Sequence, residues 1–222
     1  MLKIEHVSKT YRKGAAAVTA AEDISLALEP GDFAVVHGPS GSGKSTLLLI
    51  AGGMLEPDSG KVLFEESDIY GWSPRKRNRY RNQAVGFIFQ RFHLLPYLSV
   101  ADNIRIPLAL QGRGREHGPI REVAERLGLA HRLQHRPSEL SVGEQQRVAL
   151  ARAIVGDKRV ILADEPTGNL DEENVKIVGA VLKQESQAGR IVALVTHNRL
   201  LKALGNRSFR LDEGKLTEER RS

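Results

Sequence analysis

The chain has 222 residues, 41% of them hydrophobic and 27% charged, with 33 basic against 27 acidic side chains and a formal charge of +6. That length suits one large domain or a domain with an inserted subdomain, and the lack of any cysteine excludes a disulfide framework, a thiolate metal site and a thiol nucleophile. No run approaches the roughly 18 consecutive apolar residues of a membrane-spanning helix, and Met1–Thr10 lacks the apolar centre of a secretory signal, so residence in a reducing cytoplasm is expected.

Along the chain, Leu2–Val7 and Ala20–Leu28 alternate apolar and polar residues, the pattern of antiparallel strands with one wet face. Gly31, Gly60 and Gly214 mark turns. Asp32–His37, Val85–Phe89, Val160–Ala163 and Arg190–Val195 are short and dense in β-branched residues, as buried parallel strands are. Lys44–Ala51, Gly143–Val155 and Glu172–Glu185 read as helices. Between about Arg91 and Lys158 strand signals fade. Pro96, Pro107 and Pro119 divide this stretch into short pieces, and Ile120–Leu127 carries helical spacing. The expected fold is α/β in a single domain: a mixed sheet flanked by helices, an N-terminal antiparallel part, and an inserted helical subdomain. Residues 1–90 and 159–222 form the core and 91–158 the insert.

The strongest chemical signal is Gly38-Pro39-Ser40-Gly41-Ser42-Gly43-Lys44-Ser45-Thr46, a G-x-x-x-x-G-K-[ST] phosphate loop between an apolar strand and an apolar helix. Glycines let backbone N–H groups approach phosphate oxygens, and the helix N-terminus adds positive potential. Lys44 supplies a point charge to the β- and γ-phosphates of ATP, and Ser45 offers a hydroxyl to Mg²⁺. The second signal is Val160-Ile161-Leu162-Ala163-Asp164-Glu165, an apolar strand that delivers two acids to the carboxyl edge of the sheet. Strand side chains alternate, which predicts different jobs for the two. Asp164 is the candidate for holding Mg²⁺ through water, and Glu165 the candidate general base for the attacking water. The plainer alternative is that Asp164 starts a turn completed by Pro166.

Leu140-Ser141-Val142-Gly143-Glu144-Gln145-Gln146-Arg147 precedes a helix, about 20 residues before Asp164. Phosphate loop, this segment and the acidic strand end follow one another in the order of the ATP-binding-cassette family, whose signature segment is usually Leu-Ser-Gly-Gly-Gln. The chain resembles that family over essentially its whole length. The resemblance implies a P-loop NTPase core of that type and further site residues. Tyr11 matches the aromatic that stacks on adenine, against a strand-end tyrosine packed on the sheet. Gln90 matches the glutamine that contacts Mg²⁺ and water and links core to insert. Asp171, in Gly168-Asn169-Leu170-Asp171, matches the loop that crosses a dimer interface, and also suits a helix N-cap. His197 matches the switch histidine at the γ-phosphate, against a turn residue. The family's mechanism sandwiches ATP between two copies, with Ser141 and Gly143 of one touching the γ-phosphate held by Lys44 of the other. One departure stands out. Val142 occupies the first signature glycine and Glu144 the glutamine. Valine disfavours positive φ, so the backbone there must be ordinary or the segment reshaped, and a glutamate near phosphate would weaken closure.

Phe89-Gln90-Arg91-Phe92-His93-Leu94-Leu95-Pro96 and the run from Ala163 to Asp171 resemble the lipoprotein-release, macrolide-export and cell-division branch. That implies an ATPase subunit peripheral to the inner face of the cytoplasmic membrane, a homodimer that drives a separate integral membrane permease. The apolar run Phe92, Leu94, Leu95, Pro96 and Tyr97 is the candidate docking surface, unless the insert buries it. The alternatives are an importer subunit and a soluble ATPase acting on nucleic acid, although no nucleic-acid partner is expected. The basic run Arg75–Arg81 reads as a nucleic-acid surface, a patch for anionic lipid, or a solvated helix face.

Overall fold

The computed structural model describes residues 1–13, 16–168 and 170–219. The chain opens with two long antiparallel strands, β1 (Leu2–Lys13) and β2 (Ala16–Leu28). It continues through β3 (Phe33–His37), α1 (Lys44–Ala51), β4 (Ser59–Phe64), β5 (Ser67–Asp68), α2 (Pro74–Gln83) and β6 (Val85–Ile88). The insert follows as α3 (Val100–Leu110), α4 (Gly118–Arg126), two short 3₁₀ turns and α5 (Val142–Ile154). The chain then returns through β7 (Val160–Asp164), α6 (Glu172–Gln187), β8 (Ile191–Val195), α7 (Arg199–Leu204), β9 (Arg207–Asp212) and β10 (Lys215–Glu219).

Two sheets result. One is antiparallel, in the order β2-β1-β4-β5; the other runs β10-β9-β3-β8-β7-β6. Within the second, β9, β3, β8, β7 and β6 pair in parallel and only β10 pairs antiparallel. The strands expected to be parallel are all there, and they are buried on both faces as such strands must be. Alternation divides their side chains between two apolar clusters. Phe33, Val35, Ile161 and Ala163 face a cluster built from the insert helices, α6 and α7, while Ala34, Val36, Val160 and Leu162 face α1 and the antiparallel sheet. The sheet is thus a wall between two cores, and its carboxyl edge is held from both sides.

The expected break at Pro107 does not occur. Pro107 lies inside α3, which continues to Leu110. Losing one backbone bond and its carbonyl clearance costs about 3 kcal/mol in a helix interior. Here the helix is anchored elsewhere, by Val100, Ile104 and Leu108 in the core and by a Ser99 cap on Asp102 N–H. Buried Asn103 also ties α3 to the preceding loop, donating to the carbonyls of Leu95, Leu98 and Ser99 and accepting from Leu95 N–H.

Candidate active site

The phosphate loop sits between β3 and α1. Gly43 caps α1 with φ 104°, and a Cβ there would lie 1.7 Å from the Ala20 carbonyl oxygen, so only glycine fits. No side chain caps α1, and its first-turn N–H groups stay available for an anion. Lys44 is only 7% exposed. Its ammonium donates to Gly38 O at 2.9 Å, Pro39 O at 2.6 Å and the Ser42 hydroxyl at 3.4 Å. Burial pushes the Lys44 pKa down, opposed by the charges of Glu165 and Asp164.

A cleft of about 510 Å³ opens over this loop. Ser40, Gly41, Gly43, Lys44, Ser45 and Thr46 line its floor, and Gln90, Asp164, Glu165 and His197 its wall. Tyr11, 44% exposed, stands at its rim with its hydroxyl 3.3 Å from that of Thr46. Gln90, just past β6, is exposed.

The two acids correct one expectation. Alternation would send their side chains to opposite faces, yet both line the cleft. The strand ends at Asp164, and Glu165 has φ 44°. This left-handed residue turns the chain, so the period of two no longer applies. Burial raises both pKa values; Ser45 and Lys44 oppose it at Asp164, and His197 chiefly at Glu165. Glu165 Oε2 accepts from the His197 backbone N–H at 3.3 Å. Its Oε1 is buried without a hydrogen-bond partner, 3.4 Å from His197 Nε2. A buried carboxylate oxygen left unpaired is costly unless a ligand meets it.

The donor set fits Mg²⁺. Ser45, Gln90 and Asp164 offer hard oxygen atoms, and no cluster of three or more His, Cys, Asp or Glu side chains exists among the described residues. One carboxylate with a hydroxyl and substrate phosphates is the usual arrangement for that ion.

Ser141, Gly143 and Asp171 do not line the cleft. Ser141 is the N-cap of α5 with φ −63°, and Val142 is its first helical residue, 50% exposed, so the backbone is ordinary despite the missing glycine. Glu144 does not lean toward any incoming phosphate. It closes a capping box: Ser141 N–H donates to Glu144 Oε2 at 2.8 Å, and Glu144 N–H to the Ser141 hydroxyl at 3.2 Å. Arg132 donates to its other oxygen at 2.8 Å, and these bonds hold the carboxyl below the usual range. Ser141-x-x-Glu144 is itself a capping-box spacing, so this role was readable from sequence. Asp171 is the N-cap of α6, accepting from Asn174 N–H and Asn174 Nδ2 at 2.8 Å each. Asn169 lies outside the described residues. The part played by Asn174 has no sequence signal beyond its spacing from Asp171.

The family profile described as ABC transporter matches residues 21–168. The chain belongs to the ABC transporter family. The lipoprotein-releasing system ATP-binding protein LolD 1 of Rhodopirellula baltica is 42% identical over 100% of this chain and 98% of its own length. The LolD protein of Shewanella frigidimarina is 40% identical over 96% and 91%. The macrolide export ATP-binding/permease protein MacB of Chlorobaculum tepidum is 38% identical over 100% of this chain, which spans 34% of MacB. Among solved structures, the dimeric post-hydrolysis state of the ATP-binding cassette MJ0796 bound to ADP and Pi superposes with TM-score 0.91 at 33% identity, covering both chains fully. As a member of that family, this cassette is an ATPase that takes ATP with Mg²⁺. No helix among the described residues is long and apolar enough to cross a membrane.

Proposed function

We propose that this chain is the ATPase subunit of a lipoprotein-release or macrolide-export type system, held at the inner face of the cytoplasmic membrane by its permease. The observation that carries the mechanism is the division of the site. Lys44, Gln90, Asp164, Glu165 and His197 share one cleft, while Ser141, Gly143 and Asp171 stand outside it. A two-fold pair of identical chains brings the second group of one copy to the cleft of the other.

In this reading Tyr11 stacks on adenine, and the N–H groups from Gly38 to Thr46 together with Lys44 hold the phosphates. Mg²⁺, when bound at Ser45, Gln90 and Asp164, neutralises charge on the β- and γ-phosphate oxygens. Glu165 takes the proton of a water as its oxygen bonds to the γ-phosphorus and the bond to ADP breaks. The His197 backbone N–H and ring hold the carboxylate, and His197 lines the cleft, where in this reading it meets the γ-phosphate. The Ser141 hydroxyl and the head of α5 complete the cage from the second copy.

The permease seat in this reading is a groove of about 310 Å³ between core and insert, lined by Met54, Phe87, Phe89, Pro107, Leu110 and Arg152 among others. The Phe92–Tyr97 loop adjoins it through Arg152, which donates to Phe92 O and His93 O. A nucleic-acid reading finds less support. Within α2, Arg77 stacks on Tyr70, Lys76 on Trp72, and Arg81 donates to Gly53 O, which favours a solvated face with its own internal partners. Affinity purification of the tagged chain from detergent-solubilised membranes tests the proposal. Recovery of a permease that raises Mg²⁺-dependent ATP hydrolysis supports it. Recovery of no membrane protein, with hydrolysis stimulated by DNA or RNA and lost at high salt, overturns it.

A further inference from the structure

One side chain touches both segments assigned above to the second copy's cleft. Asn174 lies in the first turn of α6, three residues past Asp171. Its Nδ2 donates to Asp171 Oδ1 at 2.8 Å, and its Oδ1 accepts from Arg147 Nη1 on α5. A Cβ built on Gly143 would come within 2.5–2.6 Å of all three atoms of the Asn174 amide group. The amide therefore lies flat against the Gly143 backbone. In one planar group it contacts the signature segment, the signature helix and the Asp171 loop. An amide suits this place because it donates on one side and accepts on the other. A hydrocarbon does neither, and a carboxylate would face Asp171 with like charge.

From this geometry we infer that Asn174 is a positioning residue for ATP-driven closure: it fixes the Asp171 loop and the Ser141–Gly143 segment at one relative setting, so that both reach the facing copy together. The inference rests on the division of the site proposed above. It touches neither nucleotide nor Mg²⁺, and Asn174 is absent from the residues lining the cleft.

Gly143 gains a second meaning from the same contact. The group in the way of a Gly143 Cβ is the end of a flexible side chain. Alanine at 143 is thus accommodated by evicting the Asn174 amide from between Arg147 and Asp171, at little cost to the fold.

Purified full-length chain tests this. Single-copy binding of a fluorescent ATP analogue, thermal midpoint, kcat and KM are measured, and ATP-dependent pairing is followed by gel filtration in a Glu165→Gln background. Asn174→Ala is expected to keep the midpoint and the single-copy affinity, to lower kcat about tenfold or more with KM little changed, and to weaken pairing by a similar factor. In a double-mutant cycle, Gly143→Ala and Asn174→Ala are expected to be strongly non-additive, because each removes the same contact. The reciprocal exchange Asp171→Asn with Asn174→Asp restores a donor–acceptor pair and keeps an N-cap of equal quality, and is expected to recover most of the lost kcat. The inference is overturned if Asn174→Ala pairs and turns over like the parent, if its losses follow a fall in thermal midpoint, or if the exchange rescues nothing. Failure of the Glu165→Gln parent itself to pair with ATP would instead count against the two-copy mechanism.

Discussion

Glu165 grips His197 at two points, accepting from its backbone N–H at 3.3 Å and lying 3.4 Å from its Nε2. The grip depends on the left-handed backbone of Glu165, which brings its carboxylate beside that of Asp164. Glutamine at 165 keeps the shape and an acceptor for the His197 N–H but cannot take a proton from water. Glu165→Gln is expected to lose on the order of 10²–10⁴-fold in turnover while ATP binding is retained, and the undischarged nucleotide should hold two copies together on gel filtration. Near-parental turnover in the purified variant would move the base elsewhere.

The signature segment makes a more discriminating case. Val142 is half exposed at the first turn of α5, with an ordinary backbone. Val142→Gly is expected to leave ATPase activity within about threefold, helix propensity being the main quantity altered. Ser141→Arg puts bulk and charge where the second copy's nucleotide is expected, and should abolish ATP-dependent pairing while the fold survives. Glu144→Ala removes half of the capping box and leaves Arg132 without its carboxylate partner. A stability loss of about 1 kcal/mol is expected in urea unfolding, with ATP binding unchanged. An active Ser141→Arg enzyme would mean that this segment does not face nucleotide.

These cases show where sequence reasoning reaches and where it stops. The phosphate loop was legible because its glycines answer a local demand, such as the 1.7 Å that would separate a Gly43 Cβ from Ala20 O. The parallel strands were legible because burial on both faces forces apolar runs. β9 and β10 gave no such run: Arg207, Arg210, Glu218 and Glu219 interrupt them, and cross-strand pairs such as Arg207 with Glu218 at 2.8 Å account for those charges only once the strands are seen together. α2 reads as a charge run because Tyr80 is its only buried residue. Pro107 was misleading because tertiary anchoring of α3 outweighs a local penalty. The shared direction of Asp164 and Glu165 was hidden because a single left-handed residue resets the alternation.

Lys158 supplies a pH-dependent test of the core. It is 4% exposed and donates to Asn82 O, and burial, with Arg190 nearby, pushes its pKa down to about 8 from 10.5. Below about pH 8 the lysine is charged in both folded and unfolded chains, and burying it opposes folding. Between about 8 and 10.5 the unfolded chain binds the extra proton, so stability of the parent rises with pH across that window. Lys158→Met removes the burden, and Asn82 O keeps its bond from Gln111 at 2.7 Å. The variant is expected to be more stable at neutral pH, and its advantage should shrink by about 3 kcal/mol by the top of the window. Urea midpoints of the two proteins at several pH values check this. An advantage that does not change with pH would mean that Lys158 titrates normally in the fold.

The permease contact is the last test, and burial decides which residues report on it. Leu94 is spent on the core and Phe92 is half-buried, but Leu95 is 48% and Tyr97 88% exposed in the same loop. In the groove itself Leu110 is 63% and Met54 40% exposed. Large apolar side chains left open in the groove and on the loop that adjoins it mark a binding surface better than any one of them alone. None lines the nucleotide cleft. Leu95→Ala with Tyr97→Ala, and separately Leu110→Glu, should therefore keep basal hydrolysis within about twofold, because a patch remote from the reacting atoms carries binding and not chemistry. The same variants should fail to recover the permease from solubilised membranes and should lose any hydrolysis it stimulates. Met54→Glu should behave likewise if the groove is the seat. If all three proteins bring down the permease as well as the parent does, the seat lies elsewhere. If basal hydrolysis falls in step with binding, the groove residues act on the Gln90 loop itself, through the Arg152 bonds to Phe92 O and His93 O.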